Sequence, residues 1–337
     1  MMPARIRDFA ATSAPAERPW ISRDLVSVQD FSPEEIMALY ELAHALKDRP
    51  VSFREALVGK QLVLFFEKAS LRTRLTFEAG MASMGGTSVF VDQTHARLEE
   101  REPLLDVARN VERWVDAIVL RTFAHETIVD MAQYASIPVI NALSDREHPC
   151  QALADFFTLQ ETFGDLKNVH LAYVGDGNNM AHSLMLTAAS LGSKITVACP
   201  AGYAPDAAIT SAALHIAKRT GAQIGVMEDP VAAVKGANAI YTDVWASMGQ
   251  EDEADERAKI FAPYQVNAKL FARASSEAIF MHCLPAHRGL EVTADIIDSP
   301  SSIIYDQAEN RMHVQKAILL SLLGGSARRA PSRSHHA

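Results

Sequence analysis

The sequence predicts an α/β protein of two similar domains, each a parallel sheet flanked by helices, with interdomain helices linking them. Three observations predict it. From Gln61 onward, short β-rich runs alternate with longer helical patterns, the pattern of βαβ units around a parallel sheet. The runs fall into two sets, separated by the polar segment Asn141 to Pro149. A chain of 337 residues is also too long for one ordinary domain and suits two, since domains cluster at roughly 100 to 200 residues.

In the first half the strand candidates are Leu62 to Phe66, Ser88 to Asp92, Ala117 to Arg121 and Pro138 to Asn141. In the second they are Val169 to Val174, Lys194 to Ala198, Gln223 to Val226, Ala239 to Thr242 and Ala278 to His282. Pro149 stands where a helix can begin, because its missing amide is not needed there. The boundary is therefore set between a first domain, 21–147, and a second, 148–307. In the helix after Pro149, Leu153, Phe156, Phe157 and Leu159 supply one apolar face, and it is expected to join the domains. A helix over 308–323 is expected to pack back on the first domain. Residues 1–20 lack the apolar stretch of a secretory signal and read as a flexible terminus. The Ser-, Arg- and His-rich tail 324–337 reads as disordered. No repeat of solenoid length is present.

Composition narrows the function. An apolar fraction of 48% with 22% charged residues is globular and excludes wholesale disorder. The formal charge of −9 argues against nucleic acid as a partner, which needs a positive face, yet leaves room for a local anion site. The longest apolar candidate for a membrane span, Ala317 to Leu323, falls short of the roughly 18 to 20 residues required, so no membrane partner is expected. Cys150, Cys199 and Cys283 are too few and too scattered for a disulfide framework or a zinc site. That usage fits a reducing cytoplasm.

The segment Glu67-Lys68-Ala69-Ser70-Leu71-Arg72-Thr73-Arg74 follows a strand and opens a helix whose Phe77, Met81 and Met84 share one face. Free backbone amides at a helix start favour an anion, and Ser70, Thr73, Arg72 and Arg74 can add hydroxyl and guanidinium donors. A Ser cap followed by two solvated arginines fits the same spacing. The later segments Arg121-Thr122-Phe123 and His148-Pro149-Cys150-Gln151-Ala152-Leu153-Ala154-Asp155 bear on the choice.

Together these segments resemble the aspartate and ornithine carbamoyltransferase family: Ser70 to Arg74 is similar to its Ser-Thr-Arg-Thr-Arg phosphate loop, and His148 to Asp155 to its His-Pro-x-Gln-x-Leu-x-Asp element. The similarity runs from about Leu25 to Leu323 in the family's order. It implies that Ser70, Leu71, Arg72 and Thr73 hold phosphate, and that Arg121, His148 and Gln151 surround the carbamoyl group. Attack on carbamoyl phosphate builds negative charge on the carbonyl oxygen and then on departing phosphate, so preplaced donors lower the barrier. The resemblance implies no metal and no other cofactor.

Tyr173 to Met180 enters a helix and at first reads as a dinucleotide fingerprint, but Met180 stands where the third glycine belongs, and no convincing acidic residue closes the next strand. The stretch Gly175-Asp176-Gly177-Asn178-Asn179 instead resembles that of the family's ornithine enzymes, which implies that Asn179 receives the amino acid's carboxylate. Asp243-Val244-Trp245-Ala246-Ser247-Met248-Gly249 is similar to their Asp-x-x-x-Ser-Met-Gly loop, with Asp243, Ser247 and Met248 as ornithine contacts. A carboxylate there repels aspartate and welcomes a cationic diamine. As an isolated string, Asp243 before an exposed Trp245 also reads as a turn shielding core. His282-Cys283-Leu284-Pro285 matches the family's pattern and implies that Cys283 and the Leu284 carbonyl lie between carbamoyl group and amine. Alone, Cys283 reads as a small hydrophobe. Arg311 resembles the last carbamoyl phosphate contact. The catalytic set so implied is Arg72, Arg121, His148, Asp243 and Cys283.

Three departures stand out. Where the family has Gln then Gly, the loop Asp92 to Glu102 offers Arg97, Leu98, Glu99 and Glu100. Arg97 is the candidate replacement for that Gln, reaching its own site or a neighbouring subunit's. Leu71 and Val107 each replace a Thr, and neither change removes an arginine. The resemblance further implies a homotrimer or multiple of trimers, carbamoyl phosphate binding before ornithine, and a role in arginine biosynthesis. The rivals are a sister enzyme acting on putrescine, acetylornithine or aspartate, and a non-catalytic binding protein on the same fold.

Overall fold

The structure, a computed structural model, describes residues 22–94, 97–100, 102–247, 249 and 251–324. The readings of 1–20 and of the tail beyond Gly324 as unstructured, and of Met248 as a contact, lie outside the described residues.

All nine expected strands are present. The first half runs α1 (Pro33–Asp48), β1 (Gln61–Phe66), α2 (Leu71–Ser83), β2 (Thr87–Asp92), α3 (Leu104–Val111), β3 (Ala117–Arg121), α4 (His125–Tyr134) and β4 (Val139–Leu143). After α5 (Pro149–Phe163) come β5 (His170–Val174), α6 (Asn179–Leu191), β6 (Lys194–Ala198), α7 (Ala207–Thr220), β7 (Gln223–Met227), α8 (Pro230–Val234) and β8 (Ala239–Thr242). The chain continues through α9 (Ala254–Phe261), α10 (Ala268–Phe271), β9 (Ile279–His282), α11 (Ala294–Ile297) and α12 (Ile304–Leu323). The charged stretch from Glu251 is therefore largely helical.

Both sheets are parallel, ordered β2-β1-β3-β4 and β7-β6-β5-β8-β9. The order reverses beside β1 in one and beside β5 in the other. A crevice opens at the carboxyl ends of strands at such reversals, because the flanking connections leave to opposite faces. The loops after β1, β3, β5, β8 and β9 carry most of the candidate residues, so topology alone gathers them.

Strand alternation sorts the core. Leu62, Leu64 and Phe66 join one apolar cluster while Val63 and Phe65 join another on the opposite face, as a period of two requires. Leu171 and Tyr173 belong to the same cluster as Leu62, whereas Ala172 and Val174 face a third. One core thus runs through both domains. Its middle is α5, and here the expectation of a single buried face needs correction: every residue from Pro149 to Leu159 is buried. The cause is packing by β4, α6 and α12 around it. The last helix packs on α1 and α2 of the first half and on α5 but starts at Ile304 rather than 308. Its N-cap, Ile303, makes no side-chain cap, so the sequence lacks the usual start signal.

The turn after β5 explains its glycines. Gly175 has φ +148°, a region open essentially to glycine alone. At Gly177 an added Cβ would lie 2.3 Å from Pro205 N and 2.5 Å from Ala204 C, so this glycine admits the backbone of 203–205, not a pyrophosphate. Because backbone cannot step aside cheaply, Gly177→Ala is expected to destabilise the fold by about 2 kcal/mol or more. Differential scanning calorimetry showing a Tm within a degree of the parent would refute that account.

Candidate active site

Ser70 caps α2, its hydroxyl accepting from Thr73 N at 3.3 Å. The amides of Leu71 and Arg72 follow at the helix start, while the Leu71 side chain is 70% exposed; any role for Leu71 is through its backbone. Arg72 is half-buried. Facing this turn, Arg311 from α12 donates through Nη2 to Thr73 Oγ1 at 2.7 Å and through Nη1 to Gln151 Oε1. Arg121, at the end of β3, is 5% exposed, and its Nε, like that of Arg311, has no partner among the described residues. Burial, and then the nearby Arg311 charge, push the Arg121 guanidinium down to about 9. Two buried cations without a carboxylate between them repel each other and pay desolvation; an anion between them reverses both effects.

His148 caps α5 beside this pair. Its ring is buried, with Nδ1 unpartnered among the described residues, and its backbone amide donates to Ser183 Oγ at 2.8 Å. Burial, followed by the Arg311 and Arg121 charges, holds the imidazole well below its ordinary value. It is a neutral ring, able to donate one hydrogen bond. Gln151 Nε2 donates to Asp155 Oδ1 at 2.7 Å.

Across the crevice stand the residues after β5, β8 and β9. Asp243 Oδ1 accepts from Cys283 Sγ at 3.0 Å and from Val244 N at 2.8 Å, and its Oδ2 accepts from Asn178 Nδ2 at 3.0 Å. Burial and then the Asp243 charge push the Cys283 thiol well above its ordinary value, so it is a thiol that donates. Asn179 Nδ2 donates to Ser144 O at 2.7 Å, tying α6 to the loop before α5. Leu284 has φ +59°, uncommon for a branched residue and a feature of functional sites. Its amide donates to His282 Nδ1 at 2.8 Å, while His282 Nε2 meets Glu291 Oε1 at 3.2 Å.

Asp243, His282 and Cys283 place potential ligand atoms within 4.8 Å of one another. Both ring nitrogens of His282 are already engaged, however, and the trio is joined into hydrogen bonds of the protein.

The loop from Asp243 is held from both sides. Arg257 of α9, buried, pairs with Asp176 and donates to Trp245 O. Trp245, read above as exposed, is buried and stacks on Phe261 with ring centroids 6.0 Å apart: the indole does shield core. Ser247 is half-buried. At its far end, a Cβ on Gly249 would sit 3.6 Å from Phe123 Cε1, so the loop reaches the first half of the chain. Lys68 Nζ lies 4.3 Å and Arg97 Cζ 5.2 Å from the Phe123 ring centroid. Arg97 is exposed and stands on this rim, away from the buried arginines. Tyr241, Gln307 and Arg257 carry no sign in the sequence, and Asn178 and His282 stand inside the motifs above without an assigned role; of these only Asn178, an Asn just before a helix, carries a local signal, that of an N-cap.

Comparisons to known proteins give the chain a family. Residues 23–161 match the family model described as aspartate/ornithine carbamoyltransferase, carbamoyl-P binding domain, and residues 167–322 match its Asp/Orn binding domain. The chain belongs to the aspartate/ornithine carbamoyltransferase family. Among this family's members, the ornithine carbamoyltransferase of Pyrococcus horikoshii is 51% identical over 305 residues, covering 90% of this chain and 96% of that protein. The anabolic ornithine carbamoyltransferase of Pyrococcus furiosus is 50% identical over 305 residues, with 90% and 97% covered. A solved structure of ornithine carbamoyltransferase from P. furiosus superposes with a TM-score of 0.88 at 49% identity, covering 91% of this chain and 98% of that one. One from Gloeobacter violaceus gives 0.81 at 46%, covering 89% and 98%.

The depressed Arg121 gives a pH test. An anion binds the charged guanidinium, so affinity holds below the free-state value and falls as pH rises through about 9, by up to roughly tenfold per pH unit beyond it. Isothermal titration with inorganic phosphate, already largely dianionic at about pH 8, should show this loss between pH 8 and 10. A flat profile would show that Arg121 keeps its charge through this range and would refute its depression to about 9.

Proposed function

We propose that this chain transfers the carbamoyl group of carbamoyl phosphate to the δ-amine of L-ornithine, releasing L-citrulline and phosphate. The observation that carries the reading is the pairing of two chemistries across one crevice: buried guanidinium groups at a helix start on one side, and the Asp243–Cys283 pair on the other. In this reading Ser70, Arg72, Thr73 and Arg311 hold the phosphate, with Leu71 contributing its amide. Arg121 and neutral His148 donate to the carbamoyl oxygen as it gains charge, and Gln151 accepts from the carbamoyl N–H. Asn179 meets the ornithine carboxylate, while Asp243 and Ser247 meet the α-ammonium, with Met248 as a further ornithine contact.

Ornithine's δ-nitrogen attacks the carbamoyl carbon, the carbon–oxygen bond to phosphate breaks, and the surplus amine proton leaves with phosphate. The Cys283 thiol and the Leu284 carbonyl orient the attacking amine. That amine must be neutral, and an alkylammonium titrates near about 10.4, so turnover climbs with pH. His148 is neutral throughout and does not contribute the rising limb. Carbamoyl phosphate binds first, and the Asp243–Gly249 loop then closes over both substrates to exclude water.

The chain works as a homotrimer or a multiple of it, in the cytoplasm, in arginine biosynthesis. Exposed Leu71, Leu75 and Val89, at 70%, 53% and 54%, support a subunit contact beside the cradle, and Arg97 on the rim is placed to serve its own or a neighbour's site. The anabolic P. furiosus relative supports the biosynthetic direction. No helix among the described residues is long and apolar enough to cross a membrane.

Purified protein should form a carbamoylated product from carbamoyl phosphate with ornithine and not with putrescine, acetylornithine or aspartate. Losses in kcat/KM of about 100-fold or more are expected in both Arg72→Ala and Asp243→Ala. Preference for another amine would sink the assignment of Asp243, and no product with any acceptor would sink the transferase reading.

A further inference from the structure

Asp155 is among the buried ionisable groups that the mechanism leaves unused. Asp155, on α5 one helical turn after Gln151, is fully buried. Its Oδ1 accepts from Gln151 Nε2 and from Gln307 Nε2, each at 2.7 Å, and its Oδ2 accepts from Tyr241 OH at 3.0 Å. Three donors from α5, α12 and β8 thus converge on one carboxylate. Gln307 in turn accepts through Oε1 from His282 N at 2.9 Å, the residue before Cys283.

The consequence falls on Gln151. A side-chain amide has an oxygen end and a nitrogen end of nearly equal size, so packing alone does not choose between its two orientations. A carboxylate accepts and does not donate, so Asp155 can bind only the nitrogen end. Gln151 Oε1 is thereby turned toward Arg311 and the crevice. Flipped, Gln151 would point N–H groups at a guanidinium that only donates, and would set its oxygen against the carboxylate.

We propose that Asp155 is a positioning residue for carbamoyl transfer: it fixes the Gln151 amide so that an acceptor oxygen, not a donor, faces the carbamoyl nitrogen. This rests on the reading of Arg121, Arg311 and Gln151 as the carbamoyl phosphate site. The same carboxylate offsets part of the cost of burying Arg311, whose charge it supports. Burial raises Asp155 itself to about 6, against the pull of Gln307, Gln151, Tyr241 and Arg311, so it is ionised at neutral pH.

Steady-state kinetics on Gln151→Ala, Asp155→Ala, Asp155→Asn and the Gln151→Ala/Asp155→Ala double variant test the assignment. Asp155→Ala should lower kcat/KM for carbamoyl phosphate by roughly tenfold or more while KM for ornithine moves less than about threefold. Asp155→Asn keeps an oxygen for both Gln amides, with the Tyr241 hydroxyl turning to accept, and should stay within about threefold of the parent. Because Asp155 acts through Gln151, the double variant should be no slower than Gln151→Ala alone. Multiplying losses, or parental kinetics in Asp155→Ala, would overturn the proposal. Should Asp155→Ala not fold, Gln151→Glu decides. Its carboxylate would face that of Asp155, and adding Asp155→Asn should restore about tenfold of the lost kcat/KM; no restoration counts against the proposal. The parent run alongside separates the two ideas, since a parent that turns over no carbamoyl phosphate defeats the reading of the site itself.

Discussion

Arg121 and Arg311 are buried beside each other, each with an Nε unpartnered among the described residues, and that arrangement is the constraint on which the site depends. Placing two cations out of water at close range costs several kcal/mol per ion before any compensation. The compensation within the chain is partial: Arg311 has hydrogen bonds to Thr73 and Gln151 and the more distant charge of Asp155, while Arg121 has no carboxylate pressing on it. The α2 N-terminus adds further positive potential. A chain with a formal charge of −9 thus keeps a concentrated positive pocket where its topology opens a crevice, and in the proposed reading a doubly charged phosphate balances it.

The rest of the architecture holds that pocket in shape. Arg121 comes from β3, Arg311 from α12, and Gln151 and His148 from the start of α5, so three separate stretches of chain must meet at one pocket. The burial of α5 on all sides fixes its first turn, and α12 crosses back to close the cradle from the opposite direction. Asp155 ties α5, α12 and β8 together, and β8 leads directly to Asp243. The two halves of the crevice are therefore mechanically connected beneath the reacting groups, while above them the loop from Asp243 reaches Phe123 of the first half.

Much of this was legible in the sequence because its signals are local. All nine strands follow from alternating apolar runs, and Pro149 marks the start of α5 through a rule that concerns one residue. Ser70 and Arg72 open a helix and Arg121 ends a strand, where the sequence already places them. What escaped is non-local. The burial of α5 on every face depends on α12 arriving from 150 residues later in the chain, and the start of α12 carries no cap to announce it. Tyr241 and Gln307 read as ordinary interior residues until the fold brings them to Asp155. Trp245 reads as exposed when its string is taken alone, yet Phe261 stacks on it. The cluster of Asp243, His282 and Cys283 exists only because β8 and β9 are adjacent in the sheet.

The central claim is that the buried arginines serve an anion and not the fold, and thermal unfolding of Arg121→Met by calorimetry, with and without inorganic phosphate, tests it most directly. Methionine fills comparable space without charge. The account predicts a ligand-free Tm at or above the parent's, because an uncompensated buried charge is gone. It also predicts loss of the stabilisation that phosphate gives the parent, which is about 2.7 kcal/mol at 100 times its Kd. A lowered ligand-free Tm with the phosphate stabilisation intact would contradict it and make Arg121 a structural residue.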